Sequence, residues 1–193
     1  EGVGGGKFAP ERTITRAEFT VMAMRFARLP EGGENPFSDV TSSDWFYDQV
    51  VGAVQYGWIT GYTDGTFRPE QPVSRAELVK LIASYFTVEG GTSPFPDVPD
   101  GHWAAEVVSF AAEEGWVSGY PDGTFRPDAP VSRAEAVKIL NHALDRRAGE
   151  RAAALPFTDV EKGHWACDEI REAAVSHIYR KSGEGETWLT YER

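Results

Sequence analysis

Two kinds of amphipathic stretch alternate along this chain. In the first, Leu78, Leu81, Ile82 and Tyr85 recur at the spacing of one helix face, and Phe19, Met22, Ala23 and Phe26 repeat the pattern earlier. In the second, Trp103, Val107, Phe110 and Ala111, with Ala104 and Val108 beside them, predict a helix whose apolar face includes the tryptophan. Trp45 and Trp165 open the two other stretches of this kind. Gly57 and Gly115 fall where a left-handed residue ends such a helix, and His177 takes that place in the third. Gly- and Pro-rich segments at 30–36, 90–96 and 148–156 connect the first kind to the second. Asp64-Gly65 and Asp122-Gly123 signal turns with short extended arms. The expected class is mainly α.

The alternation is an internal repeat. "GYTDGTFRPEQPVSRAE" (61–77) and "GYPDGTFRPDAPVSRAE" (119–135) agree at almost every position, and "GGKFAPERTITRAE" (5–18) is an eroded third copy. Between them lie segments opening on "PFSDV", "PFPDV" and "PFTDV". The chain reads as a single module, 1–193, with a partial first repeat at 1–36, a second at 37–94 and a third at 95–156. The remainder, 157–193, is a terminal F-x-D-V helix followed by a divergent tail, "YRKSGEGETWLT", in place of the G-Y-x-D-G-T-F loop. A chain that starts inside a repeat lacks its first tryptophan helix, and the terminal helix at 164–176 is expected to fill that place.

Ser/Thr-Arg-Ala-Glu is a capping box: the hydroxyl accepts from the N3 amide while the N3 glutamate reaches back to the N-cap amide. Thr15/Glu18, Ser74/Glu77 and Ser132/Glu135 are explained as structure, and Ala17, Ala76 and Ala134 suit a close helix approach. Arg16, Arg75 and Arg133 are not explained, because a cation at N1 opposes the helix dipole. Two readings remain open. One is a salt bridge to Asp39, Asp97 or Asp159; the other is an exposed guanidinium beside free helix amides, an arrangement suited to an anion.

Charge narrows the function classes. Lys and Arg number 19 against 30 Asp and Glu, a net charge of −11, which disfavours nucleic acid and anionic membranes as partners. No apolar run approaches a membrane span, and the first residues show neither the basic nor the apolar region of a signal peptide. Cys167, the single cysteine, aligns with Tyr47 and Ala105 and reads as a small packing residue. The carboxylate pairs Asp39/Asp44, Asp97/Asp100 and Asp159/Glu161 resemble those of a glycosidase but recur with the repeat, as scaffold turns do. His102 and His164 align with Asp44, which favours helix starts over metal ligands, and each D-G turn has too few acids for a calcium loop. No enzyme, metal or cofactor is expected.

These motifs, in fixed order over almost the whole chain, resemble the S-layer homology family: F-x-D-V…W, then G-[YV]-x-D-G-x-F-x-P, then [IV]-[TS]-R-A-E. The resemblance implies a pseudo-threefold helical spindle around a central bundle of RAE helices. It also implies an extracellular role at the bacterial surface, attaching proteins to the wall by binding a secondary cell-wall polysaccharide, often pyruvylated. On that likeness Arg16, Arg75 and Arg133 would hold the pyruvyl carboxylate, and Gly61 and Gly119 would let the sugar approach the backbone. Lys80 and Lys138 would add charge, and Trp58 and Trp116 are stacking candidates that also suit the core. Val21 in place of a lysine and Ala9 in place of Arg68 or Arg126 rank Arg16 below Arg75 and Arg133. Replacing those two arginines together is expected to abolish wall binding with melting nearly unchanged. A protein-interaction or lattice module using the same grooves is the alternative.

Overall fold

The structure, a computed structural model, describes residues 2–25, 33–146, 154–182 and 185–191. Phe26 and parts of two predicted connections, 30–36 and 148–156, lie outside them. The described residues are mainly helical: α1 (Arg16–Met24), α2 (Tyr47–Gln55), α3 (Arg75–Ala83), α4 (Ala105–Glu113), α5 (Arg133–Ala143) and α6 (Cys167–Ala174). A hairpin of β1 (His177–Ser182) and β2 (Gly185–Tyr191) follows, paired antiparallel with a bulge between Ile178 and Tyr179. No helix among the described residues is long and apolar enough to cross a membrane.

The capping boxes form as the sequence predicts. Thr15, Ser74 and Ser132 each accept from the N3 amide, and Glu18, Glu77 and Glu135 each return a bond to the N-cap amide. Behind them the apolar face is buried, including Phe19 and Ala23 on α1 and Leu78, Leu81 and Ile82 on α3. Gly57 ends α2 at φ +70°, its amide bonding to the Val54 carbonyl while Trp58 N bonds to Ala53 O, the double bond of a Schellman turn. Gly115 has the same conformation, φ +72°. His177 does not: α6 exits through Val175 in extended backbone, and His177 begins β1.

One expectation about the second helix type fails. Trp103 is 56% exposed, with Trp45 and Trp165 similar, while Ala104, Ala105, Val108 and Ala111 are buried and Val107 and Phe110 half-buried. The tryptophan precedes the first helical turn, so helical periodicity does not govern where it points.

The chain divides into two compact units. One comprises Thr13–Glu113 and Ser118–Val131, where α1 packs on α2 and on α3, and α3 on α4. Its core joins Ala17, Phe37, Val40, Phe46, Val50 and Phe67. Ile14, Val73 and Val131, one from each copy, close a ring of backbone hydrogen bonds: Val73 N donates to Ile14 O, Ile14 N to Val131 O and Val131 N to Val73 O, at 3.0–3.2 Å.

The other unit comprises Glu1–Arg12, Glu114–Val117 and Ser132–Arg193, and in it α6 packs on α5. The F-x-D-V segment before α6 docks on the first residues of the chain: Thr158 N donates to Gly6 O, and Phe157 packs on Phe8 at 5.2 Å between centroids. Cys167 is a buried packing residue.

On the α5–α6 contact, Asn141 Nδ2 donates to Glu169 Oε2 at 2.8 Å, and His142 Nε2 lies 3.4 Å from Glu169 Oε1. Hydrogen bonding to Glu169 raises the His142 pKa. Burial pushes Glu169 upward, but bonds from His142 and Asn141 outweigh it and the carboxyl ends below its usual value. A raised histidine contributes stability below its unfolded value that is lost as pH rises; a lowered carboxylate contributes stability that is lost as pH falls. Both contributions are present between about pH 4.5 and about pH 6.5. Thermal melts across pH are expected to show His142→Ala flattening the alkaline side of this profile.

Candidate ligand-binding groove

The first unit carries a groove of about 900 Å³ lined by residues from three copies. Arg16 comes from the start of α1, Gly61 and Tyr62 from the next loop, Ser74, Glu77 and Lys80 from α3 and its cap, Trp58 from the end of α2, Trp103 from before α4, and Asp128 from the loop beyond.

Arg16 is 8% exposed and held on three sides. Its Nε donates to Phe67 O at 2.8 Å, Nη1 pairs with Glu77 Oε1, and the guanidinium lies 4.9 Å from the ring centroids of Tyr62 and Phe67. Tyr62 in turn donates its hydroxyl to Glu77 Oε1 at 3.2 Å, and burial leads a rise in the phenol's pKa. Arg68 also lies over Tyr62, 3.8 Å from the ring centroid, and pairs with Asp64 at 2.9 Å. Bonds from the Thr66 hydroxyl, from Arg68 and from the Thr66 amide hold Asp64 down to about 2. This Asp-Arg bracket recurs as Asp122–Arg126 against Tyr120.

Both sequence readings of the arginine need correction. Asp39, Asp97 and Asp159 are not its partners: each carboxylate accepts two backbone amides, from Phe67 and Arg68, Phe125 and Arg126, and Phe8 and Ala9, at 2.7–2.9 Å. They thereby fix the left-handed conformation of Arg68, Arg126 and Ala9, φ +56° to +60°. Nor are the helix amides free. The N1 and N2 amides of α1, α3 and α5 donate to carbonyls of a loop from another copy, Gln71 and Pro69, Ala129 and Pro127, and Arg12 and Pro10. The N3 amide goes to the cap hydroxyl, so an anion can meet the side chain but not the helix end. These loop carbonyls, with Glu77, supply the negative counterpart that the dipole denies a cation at N1.

The remaining predicted residues separate. Arg75 and Arg133 are buried like Arg16, with Nε on Phe125 O at 3.0 Å and on Phe8 O at 2.8 Å. Arg75 lies over Tyr120 as Arg16 lies over Tyr62, and Arg133 lies over Phe8, with Val3 at the position that aligns with the tyrosine. The burial and backbone bonds of Arg75 and Arg133 lead us to expect that removing them costs stability, where the sequence alone suggested nearly unchanged melting. Gly61 and Gly119 have an internal reason: a Cβ would collide with the rings of Phe37 and Phe95 and with the carbonyls of Thr66 and Thr124. Lys80 is exposed, its ammonium 5.5 Å from the Trp103 centroid, and Lys138 repeats this on Trp165 at 5.8 Å. Trp58 stacks on Tyr56 at 4.6 Å and lines the groove, whereas Trp116 is buried.

Arg16 thus shares its groove with Lys80 and the intact Tyr62 loop, not with Val21 and Ala9 of its own copy. The eroded loop belongs beside Arg133. Sequence reasoning also passed over Trp103, Tyr62 and Glu77 as groove residues; only the recurrence of tyrosine in G-Y-x-D-G signalled one of them.

Comparison with known proteins agrees with these repeats. The S-layer homology domain matches residues 1–20, 36–79 and 94–137, more than half of the chain. The chain is 35% identical over 96% of its length to the cellulosome-anchoring protein of Acetivibrio thermocellus, and 35% identical over 97% to cell surface glycoprotein 1 of that organism. It is 26% identical over 75% to the surface-layer 125 kDa protein of Lysinibacillus sphaericus. It spans 44%, 9% and 13% of those proteins. The repeats, their capping boxes and the matched segments together make the chain a member of the S-layer homology domain family.

Proposed function

We propose that this chain is a non-catalytic anchoring module of the bacterial cell surface, binding an anionic, pyruvylated secondary cell-wall polysaccharide in the groove of Arg16. The observation that carries this reading is one groove holding an oriented guanidinium, an ammonium at Lys80 and the indoles of Trp58 and Trp103. A planar cation suits a carboxylate, and an indole face suits the apolar face of a sugar ring. Arg75 and Arg133, in equivalent positions, would serve further sites, and the intact tyrosine loop puts Arg16 and Arg75 ahead of Arg133.

Co-sedimentation with purified wall sacculi tests this, before and after acid stripping of the polymer. Binding is expected to disappear on stripping and to weaken with added salt. Equal binding to stripped sacculi would instead favour a protein or lattice partner in the same grooves.

A further inference from the structure

We infer that Glu77 is a built-in counter-anion for Arg16, which a ligand carboxylate displaces on binding, so that this glutamate tunes the affinity of the groove. The inference rests on the anionic-ligand reading above.

Glu77 belongs to the capping box of one copy but spends its other oxygen on the arginine of another. Oε2 accepts from Ser74 N at 2.9 Å; Oε1 meets Arg16 Nη1 and accepts the Tyr62 hydroxyl. Capping does not need the charge, since glutamine serves equally at N3 of a capping box. Orienting Arg16 does not need it either, because the Phe67 carbonyl and the Tyr62 and Phe67 rings already fix the guanidinium. The charge has a third effect. Arg16, 8% exposed, would be costly to leave unpaired in the empty groove, and Glu77 neutralises it there. An incoming carboxylate must compete with that partner, and Asp128 adds a second negative charge to the lining. With Arg16 and Lys80 matched by Glu77 and Asp128, the titratable lining carries no net charge, so the groove has little long-range pull on anions and discriminates at contact.

The test is calorimetric titration with the methyl glycoside of 4,6-pyruvyl-ketal N-acetylmannosamine and with its unsubstituted counterpart. Wild-type protein is expected to prefer the ketal. Glu77→Gln, which keeps the cap, is expected to bind the ketal about tenfold more tightly and to widen the preference for the ketal over the neutral sugar. Unchanged or weaker ketal binding by Glu77→Gln would overturn the inference and leave the anchoring reading standing. A wild type that fails to prefer the ketal would overturn both. A second readout needs no variant: the 13C resonance of the Glu77 carboxylate should move as the ketal saturates the wild type, and a stationary resonance would exclude displacement.

Discussion

Phe67→Ala is expected to cost about 3–5 kcal/mol in equilibrium urea unfolding, the range for an aromatic deleted from a closed core. Phe67 is 1% exposed and packs on Phe37 at 5.4 Å between centroids, within the cluster of Ala17, Val40, Phe46 and Val50. Its backbone matters as much. The amide is held by Asp39 and the carbonyl holds Arg16, so the ring anchors a residue that joins an F-x-D-V segment to a motif arginine, as Phe125 and Phe8 do for Arg75 and Arg133. Truncation should loosen both. Phe67→Leu, which keeps most of the volume, is expected to cost about 1–1.5 kcal/mol, and a full-sized loss there would show that shape dominates.

Arg16→Ala should have the second largest effect, on two measurements at once. Removing one partner of a buried ion pair leaves the other uncompensated, for which about 3–5 kcal/mol is typical. Glu77 retains the Tyr62 hydroxyl and some solvent access, so about 2–3 kcal/mol is expected. Retention on sacculi should fall by more than tenfold. Arg16→Lys separates the two roles: it keeps a cation for Glu77 but loses the planar fork and the Nε bond to Phe67 O. Wall binding should fall nearly as far while the melting temperature drops by only a few degrees. Wall retention equal to wild type in Arg16→Lys would remove the guanidinium from the proposed site.

Much of the architecture was legible because its signals are local. Each capping box is confined to four residues, Gly57 needs only its own φ, and the repeat is visible by inspection. The grouping of residues around the groove was not legible, for a definite reason. A period states which residues are equivalent, not which equivalents are neighbours. Alignment set Arg16 beside Val21 and Ala9; folding sets it beside Lys80 and Tyr62, because the N-terminus of α1 closes on the loop of the next copy. The exposed tryptophans escaped for a different reason, as they stand before the helix whose periodicity was used to place them. The strands β1 and β2 have no counterpart among the described residues of the other copies, so repetition offered nothing to read them by.

The ring formed by Ile14, Val73 and Val131 bears on how such a module can change over generations. An open solenoid grows by duplication, because each new unit stacks on the last and only the ends need protection. Three backbone bonds that return to their starting residue leave no end on which to stack. An inserted fourth copy would have to open this ring and close a wider one, re-aiming every bond and the buried side chains around it, so lineages of this architecture are expected to vary its sequence and multiply whole modules while the number of copies within each stays at three.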